Sequence, residues 1–127
     1  MKENRFYICE HCGNLIGMIH DEGEPISCCE EKMTELEPET IEASHEKHVP
    51  VVTVENNVVK VVVGSTAHPM AEDHSIMWVY LQTDRGGQRK CLKIGGEPIV
   101  TFALDDEKPM AVYAFCNLHG LWKAEIN

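Results

Sequence analysis

Four of the six cysteines are crowded into the first quarter of the chain, and they constrain its fold more than any other feature. Cys9 and Cys12 form a Cys-x-x-Cys-Gly motif that ends at Gly13, and Cys28 and Cys29 are adjacent. Because glycine takes a positive φ easily, the motif predicts a tight turn that presents two thiolates to one metal ion. So short a segment buries little core, so a metal must supply much of its folding energy. The residues alone leave structural zinc and redox-active iron equally open.

The start of the chain and its net charge limit the cellular location and the partners that we expect. Residues 1–5 lead into only a short apolar patch, so we expect neither a signal peptide nor a transmembrane segment. The protein is therefore expected in the cytoplasm, where thiols stay reduced and clustered cysteines bind metal instead of forming disulfides. The net charge of −10 makes nucleic acid and anionic membranes unfavourable partners.

Beyond an acidic linker, the chain changes to short β-branched runs with a period of two. Residues 35–39 are acidic and contain one proline, which indicates a boundary between a first unit, residues 1–37, and a second, residues 38–127. Frequent turn signals, such as Asn56-Asn57, separate about seven or eight strands and predict an antiparallel sandwich. The predicted strands are 40–44, 51–55, 58–63, 76–83, 88–92, 99–104, 110–115 and 121–126.

A second group of metal donors is spread over the second unit. Cys116 and His119 share the turn Cys-Asn-Leu-His-Gly, and three further histidines lie in short polar segments between apolar runs: His48, His68 and His74. The loops at one end of a sandwich can bring these segments together. Thiolate and imidazole donors suit zinc, copper or iron rather than magnesium or calcium. Five donors exceed the four of a structural zinc site and leave an octahedral ion with one open position.

The charge of such a site favours a small anion. Ferrous iron with four neutral imidazoles and one thiolate keeps a single positive charge, and iron, unlike zinc, can exchange an electron with the anion it binds. A thiolate ligand adds electron density to the metal. Lys47 is a candidate for steering the anion, and Glu46 for closing the site when ferric iron raises the charge. Without the metal context, both would be interpreted as a solvated charged pair in a loop.

Several segments together match one known pattern. They are Cys9-x-x-Cys12-Gly13 with Cys28-Cys29, Glu46-Lys47-His48-Val49-Pro50, His68-Pro69-Met70 with His74, Gln88-Arg89-Lys90, and Cys116-Asn117-Leu118-His119-Gly120-Leu121-Trp122-Lys123. With these segments the sequence closely resembles the superoxide reductases of the desulfoferrodoxin type, over essentially its whole length. The set is highly specific, whereas the first segment alone would be a weak signal.

The resemblance implies a mainly-β fold with two metal domains. Residues 1–37 would form a desulforedoxin-like (rubredoxin-like) domain with tetrathiolate iron, and residues 38–127 an immunoglobulin-like antiparallel β-sandwich with square-pyramidal iron. It also implies a homodimer. All nine expected ligands are present, which favours the two-iron class. These ligands are Cys9, Cys12, Cys28 and Cys29 for the first iron, and equatorial His48, His68, His74 and His119 with axial Cys116 for the second.

The activity implied by the resemblance is one-electron reduction of superoxide to hydrogen peroxide, at a ferrous ion with an open sixth position. Protons would arrive through water near Lys47, Glu46 would then bind the ferric ion, and a rubredoxin-like donor would restore the ferrous state. No oxygen is made, which distinguishes the reaction from dismutation. Phe115 stands where many members have tyrosine, and Cys91 is most simply a small core residue.

The residues alone leave other interpretations of the two donor groups open. A cupredoxin-like electron carrier uses two histidines, one cysteine and usually an axial methionine, but no methionine follows His119. A zinc-binding interaction module explains the N-terminal cysteines and leaves the group around Cys116 unexplained. A third possibility keeps the reductase and gives the first iron only a role in stabilising the dimer.

Overall fold

The described part of the chain consists of β-strands and the turns that connect them. The structure, a computed structural model, describes residues 4–40 and 47–127. It divides into two compact units, Met1–Glu37 and Pro38–Asn127. Every strand pairing is antiparallel and the described residues form no helix, which confirms the mainly-β prediction. Within the same residues, nothing helical is long and apolar enough to cross a membrane.

The first unit is built from five short strands. They are β1 (Arg5–Ile8), β2 (Leu15–Met18), β3 (Ser27–Cys28), β4 (Glu31–Lys32) and β5 (Thr34–Glu35). β1 lies between β2 and β5, and β3 pairs with β4 as a hairpin. Phe6 and Met33 are the large apolar side chains buried among its described residues. Two such side chains contribute only about 3–6 kcal/mol, so a chain segment of this length needs another source of stability.

The second unit contains two facing antiparallel sheets. Its strands are β6 (Pro50–Glu55), β7 (Val58–Val63), β8 (Ile76–Thr83), β9 (Gly86–Cys91), β10 (Ile99–Ala103), β11 (Pro109–Cys116) and β12 (Gly120–Glu125). One sheet has the order β10-β7-β6 and the other β12-β11-β8-β9. Asn56 and Asn57 join β6 to β7 with φ of 51° and 61°, as a two-residue hairpin turn requires.

The hydrophobic core lies between these two sheets. On β7 every second residue is fully buried, at Val59, Val61 and Val63, because alternate side chains of a strand face opposite sides. β8 and β11 occupy the middle of their sheet and are buried over most of their length. The core cluster comprises Val59, Val61, Val63, Met70, Ile76, Val79, Leu81, Phe102, Val112, Ala114 and Cys116. A core of this size can support the sandwich by itself, so its loops are free to carry function.

Side chains connect the edge strands of the two sheets. Gln88 on β9 donates from Nε2 to the Ala103 carbonyl at 2.8 Å, and Lys90 donates from Nζ to the Thr101 carbonyl at 2.6 Å. Both carbonyls belong to β10. The bonds give partners to backbone groups at a sheet edge, which would otherwise be open to pairing with another chain.

The strand bounds differ from the predicted ones in detail. β9 begins at Gly86 instead of residue 88, because pairing of Gly86 and Gly87 with β8 outweighs the low strand propensity of glycine. Gly87 also lies so close to the Tyr80 ring that any side chain there would collide with it. The predicted strand 40–44 falls outside the described residues except for Thr40.

Candidate metal centres

Four segments of the second unit meet where several strands begin and end. Antiparallel pairing places the start of β6 beside the end of β7, at Pro50 and Val63. It likewise places the end of β11, at Cys116, beside the starts of β8 and β12, at Ile76 and Gly120. The donors that flank these strand ends form a histidine–cysteine group of His48, His68, His74, Cys116 and His119, and their donor atoms all lie within 4.8 Å of one another. The structure therefore brings together all five residues that the sequence singled out.

The four imidazole rings form a closed square. Neighbouring centroids are 4.6 Å apart for His48–His68, 4.7 Å for His68–His74, 5.0 Å for His74–His119 and 4.8 Å for His119–His48. The distance across, from His48 to His74, is 6.4 Å, longer than the sides by roughly the ratio expected of a square. The Cys116 Sγ atom lies 3.7 Å from Nδ1 of His119, and Nε2 of His48 lies 3.1 Å from the same nitrogen.

Two of the rings, those of His68 and His74, each have a nitrogen atom that is available to bind a metal. Nδ1 of His68 lies 2.7 Å from the Pro69 carbonyl, which can only accept, so Nδ1 carries the proton and Nε2 keeps its lone pair. Nε2 of His68 and Nε2 of His74 are buried without a hydrogen-bond partner. Buried polar atoms are nearly always paired, and two unpaired nitrogens beside a thiol fit a bound ion. Imidazole and thiolate donors suit iron, zinc and copper alike.

The same environment keeps these imidazoles neutral. Burial lowers the pKa of His68 from 6.5 to about 4; the Pro69 carbonyl opposes this effect, and the neighbouring imidazoles of His48, His74 and His119 add to it. Burial also lowers the pKa of His74, with further contributions from His119 and His48. A neutral imidazole is the form that binds metal, so the site is ready for an ion at neutral pH.

Trp122 supports two of the five donors, a role that the sequence analysis did not assign. Its indole ring stacks on His48 with centroids 4.7 Å apart and 19° between the planes. Its Nε1 donates to the His119 carbonyl at 3.1 Å. The indole therefore ties the His48 segment to the turn between β11 and β12. The pattern Trp three residues after His119 was visible in the sequence, but its partner His48 could be found only in the fold.

The backbone of Lys47 lies directly against Gly64. A Cβ atom on Gly64 would meet Cα and C of Lys47 at 2.5 Å and also the carbonyl of Thr66. Gly64 has φ of +83°, which glycine adopts without strain. The absence of a side chain at Gly64 therefore leaves the space that the Lys47 backbone occupies.

Glu46 and Cys91 were also singled out in the sequence. Glu46, the candidate for closing the site, lies outside the described residues. Cys91 is exposed, with the guanidinium of Arg89 3.1 Å from its Sγ, so the expectation of a small core residue was wrong. The side chain faces away from the core because Cys91 ends an edge strand, where alternation places one face in solvent.

The four N-terminal cysteines form a second donor group, the tetracysteine group. Cys9 and Cys12 lie on a turn closed by bonds from the Cys9 N–H to the Asn14 carbonyl at 2.8 Å and from the Gly13 N–H to the Cys9 carbonyl at 2.9 Å. Gly13 has φ of +82°, as the motif predicted. The sulfur atoms of this group, with Cys28 and Cys29, all lie within 4.8 Å of one another.

The adjacent cysteines, Cys28 and Cys29, lie at a strained hairpin turn. Cys28 ends β3, and Cys29 and Glu30 form the turn with φ of 54° and 63°. Two-residue turns with both φ positive favour asparagine and glycine, and other side chains there cost about 1–3 kcal/mol each. A cysteine at such a position is explained by the direction of its sulfur, towards the other three.

The charges of the four thiols show why this group needs a cation. Hydrogen bonding to the backbone N–H of Cys12 lowers the pKa of Cys9 to about 6. In contrast, the thiol of Cys12, followed by those of Cys9 and Cys28, raises the pKa of Cys29 to about 12. The thiolate of Cys9 therefore forms readily, whereas that of Cys29 needs a bound ion to compensate the negative charge.

Together, the fold and the donor sets define a mainly-β metalloprotein with a tetracysteine group and a histidine–cysteine group, both of which could bind iron. The sequence model of a family described as Desulfoferrodoxin matches residues 40–125. The desulfoferrodoxin of Nitratidesulfovibrio vulgaris is 44% identical over 119 residues, 94% of each chain. This chain belongs to the desulfoferrodoxin family.

Solved structures agree with this assignment. The superoxide reductase from Treponema pallidum is 39% identical, with a TM-score of 0.84 over 97% of this chain and 98% of that one. The superoxide reductase (1Fe-SOR) from Giardia intestinalis is 33% identical, with a TM-score of 0.55 over 65% of this chain and 98% of that one. Both of these structural neighbours are thus named for an oxidoreductase.

Replacing Gly64 with alanine is expected to destabilise the second unit by about 2–5 kcal/mol, through left-handed strain and collision with the Lys47 backbone. The matched control is Gly95→Ala, because Gly95 has the same φ of +83° but no atom within 4 Å of an added Cβ. The control should lose only about 1–2 kcal/mol. Urea unfolding measures both, and equal losses would show that Lys47 does not need this space.

The metal-free protein should lose stability as the pH falls from about 6.5 to about 4. In this window the unfolded chain protonates His68 and the folded chain does not, so proton binding favours unfolding. The stability that neutral His68 contributes is fully present above this pH window and fully lost below it. Urea unfolding of metal-free protein across the window tests this expectation. His68→Gln should show a weaker pH dependence, and an unchanged dependence would contradict the assignment to His68.

Proposed function

We propose that this protein is a superoxide reductase, with its catalytic iron held by His48, His68, His74, His119 and Cys116. The observation that carries the proposal is the square of four imidazoles with a thiol beside it. A solved structure named superoxide reductase, 39% identical over 97% of this chain, supports it. The reaction is superoxide plus one electron and two protons to hydrogen peroxide.

Iron in this site would supply one electron to superoxide, a step that zinc cannot support. The surrounding residues prepare the site for that exchange. The imidazoles of His68 and His74 are held neutral by burial, so they leave the positive charge of the ion in place to attract an anion. Cys116 is completely buried, which shields its sulfur from water and strengthens its electrostatic effect on the ion.

Lys47 is proposed to attract superoxide and to supply its protons through water. Its side chain is partly buried. Its positive charge contributes to lowering the pKa of His74, after burial and the neighbouring imidazoles, so the ammonium group acts electrostatically on the site. A cation there raises the rate of encounter with a small anion. Glu46, its neighbour in the sequence, is proposed to bind the oxidised ion.

The first unit is proposed to be a desulforedoxin-like domain with iron on Cys9, Cys12, Cys28 and Cys29. The second unit is proposed to be an immunoglobulin-like domain, in which Cys116 and the four histidines would hold the catalytic iron. We further propose a homodimer in the cytoplasm, with a rubredoxin-like protein as electron donor. The family assignment supports each of these proposals.

A copper electron carrier is a weaker explanation of the same site. Such sites use two imidazoles, a thiolate and a weak axial ligand. Here four imidazoles converge, and two of them bury unpartnered nitrogen atoms. Metal analysis separates the alternatives, because the reductase requires two irons per chain, the carrier one copper, and an interaction module zinc only.

The proposed reaction is tested by stopped mixing of the reduced protein with superoxide. We expect peroxide in equal amount to the superoxide consumed and no oxygen, because each superoxide receives an electron from the protein. Cys12→Ser should retain this first turnover, since it alters only the tetracysteine group, whereas His68→Ala should lose it. Oxygen release in proportion to peroxide would indicate dismutation and would refute the proposal.

Replacing Lys47 with alanine should slow the capture of superoxide by roughly tenfold and weaken its dependence on salt, because an attractive charge is lost. Lys60→Ala is the matched control, since Lys60 is exposed on β7 and lies away from the Val63 end of that strand. Stopped mixing at several ionic strengths measures both variants. An unchanged rate in Lys47→Ala would remove this residue from the mechanism.

A further inference from the structure

Asn117 lies in the turn between Cys116 and His119, and its side chain reaches the segment that carries His74. Its Oδ1 accepts a hydrogen bond from the backbone N–H of Ser75 at 3.0 Å. Its Nδ2 donates to the carbonyl of Asp73, also at 3.0 Å. A single carboxamide therefore holds the backbone on both sides of His74.

The orientation of this carboxamide is determined by its partners. A backbone N–H can only donate and a carbonyl can only accept, so Oδ1 must face Ser75 and Nδ2 must face Asp73. Of the side chains similar in size to asparagine, aspartate lacks the donor and leucine lacks both groups. The position thus requires the donor and the acceptor that asparagine supplies.

The hydrogen bonds are placed where the regular sheet pairing stops. The ladder between β8 and β11 ends at Ile76 and Cys116, with a register shift between Phe115 and Cys116. Beyond it, the backbone N–H of Asn117 donates to the Ser75 carbonyl at 3.2 Å. The side chain extends this contact by two further bonds and joins the two segments where the ladder cannot.

Among the backbone bonds that the structure describes, the backbone of His74 itself bonds only within a tight turn. Its N–H donates to the Ala71 carbonyl at 3.2 Å, and its carbonyl accepts from the Ala71 N–H at 2.9 Å. Because Nε2 of His74 has no hydrogen-bond partner, the position of the ring depends on this backbone and on packing. The His74 and His119 rings are 5.0 Å apart, so a shift of either segment changes the site.

We propose that Asn117 is a positioning residue that fixes His74 against the turn carrying Cys116 and His119, and so slows loss of the ion from the histidine–cysteine group. Groups that orient metal ligands typically change metal affinity by about 10–100-fold. Asn117 is itself exposed, so its bonds contribute little to global stability and their effect is local. The inference rests on the proposed metal site and not on the proposed reaction.

Release of cobalt(II) from the full-length protein tests this role. Cobalt bound by four thiolates and cobalt bound by one thiolate differ in charge-transfer absorption, so a chelator can be seen to empty each site. In Asn117→Ala we expect release from the histidine–cysteine group to become about 10–100 times faster, with release from the tetracysteine group unchanged. The tetracysteine group thus serves as an internal control.

Gln88→Ala is the matched control variant. It also removes a carboxamide that donates to a backbone carbonyl, that of Ala103, but Gln88 pairs with Leu81, away from the β8 end that lies beside Cys116. Both release rates should stay at their original values. An Asn117→Ala protein with the original release rate from the histidine–cysteine group, or with both rates raised equally, would overturn the proposal.

Asn117→Asp provides a second test that does not depend on the alanine variant folding. It keeps the acceptor for Ser75 and loses the donor to Asp73. The added negative charge would by itself retain a cation more strongly, so faster release can come only from loss of the donor. We expect faster release, and release at or below the original rate would overturn the role of Nδ2. Because no superoxide is used, failure here leaves the proposed reaction untouched.

Discussion

The structure depends on holding five metal donors together before any ion compensates them. Two of these donor atoms, Nε2 of His68 and of His74, are buried with no hydrogen bond. Each such atom costs about 1–3 kcal/mol, and the local burial that creates the cost also keeps His68 neutral, with its pKa lowered to about 4. The sandwich core offsets this cost, and an ion would remove it by supplying the missing partner.

The two units would depend on a bound metal to different degrees. The sandwich has a core shared by two sheets, so its fold does not need the ion, and the ion is left to supply chemistry. The first unit buries few large side chains and contains strained residues at Cys29 and Glu30. There the ion would contribute to folding directly. Under the proposed function, metal binding would serve stability in one unit and reactivity in the other.

Much of this arrangement was predictable because donors and strands leave local signals. The β-branched run predicted β7 with its bounds at Val58–Val63, and the spacing of cysteine and histidine predicted both donor groups. Contacts between distant segments left no such signal. The stacking of Trp122 on His48, the contact of Gly64 with Lys47 and the exposure of Cys91 depend on how strands pair, which a local pattern does not encode. Sequence also could not show which ring nitrogen of His119 faces the other donors, where Nδ1 lies 3.7 Å from Cys116 Sγ and 3.1 Å from Nε2 of His48.

The most direct test of the account is a crystal structure of the reduced, iron-loaded protein with anomalous scattering measured at the iron edge. The account predicts two iron peaks per chain. One should lie among the four N-terminal sulfur atoms, and the other should lie within the imidazole square beside the Cys116 sulfur, with one face of the ion free of protein. An imidazole square without iron, or a permanent sixth protein ligand on the reduced ion, would contradict it.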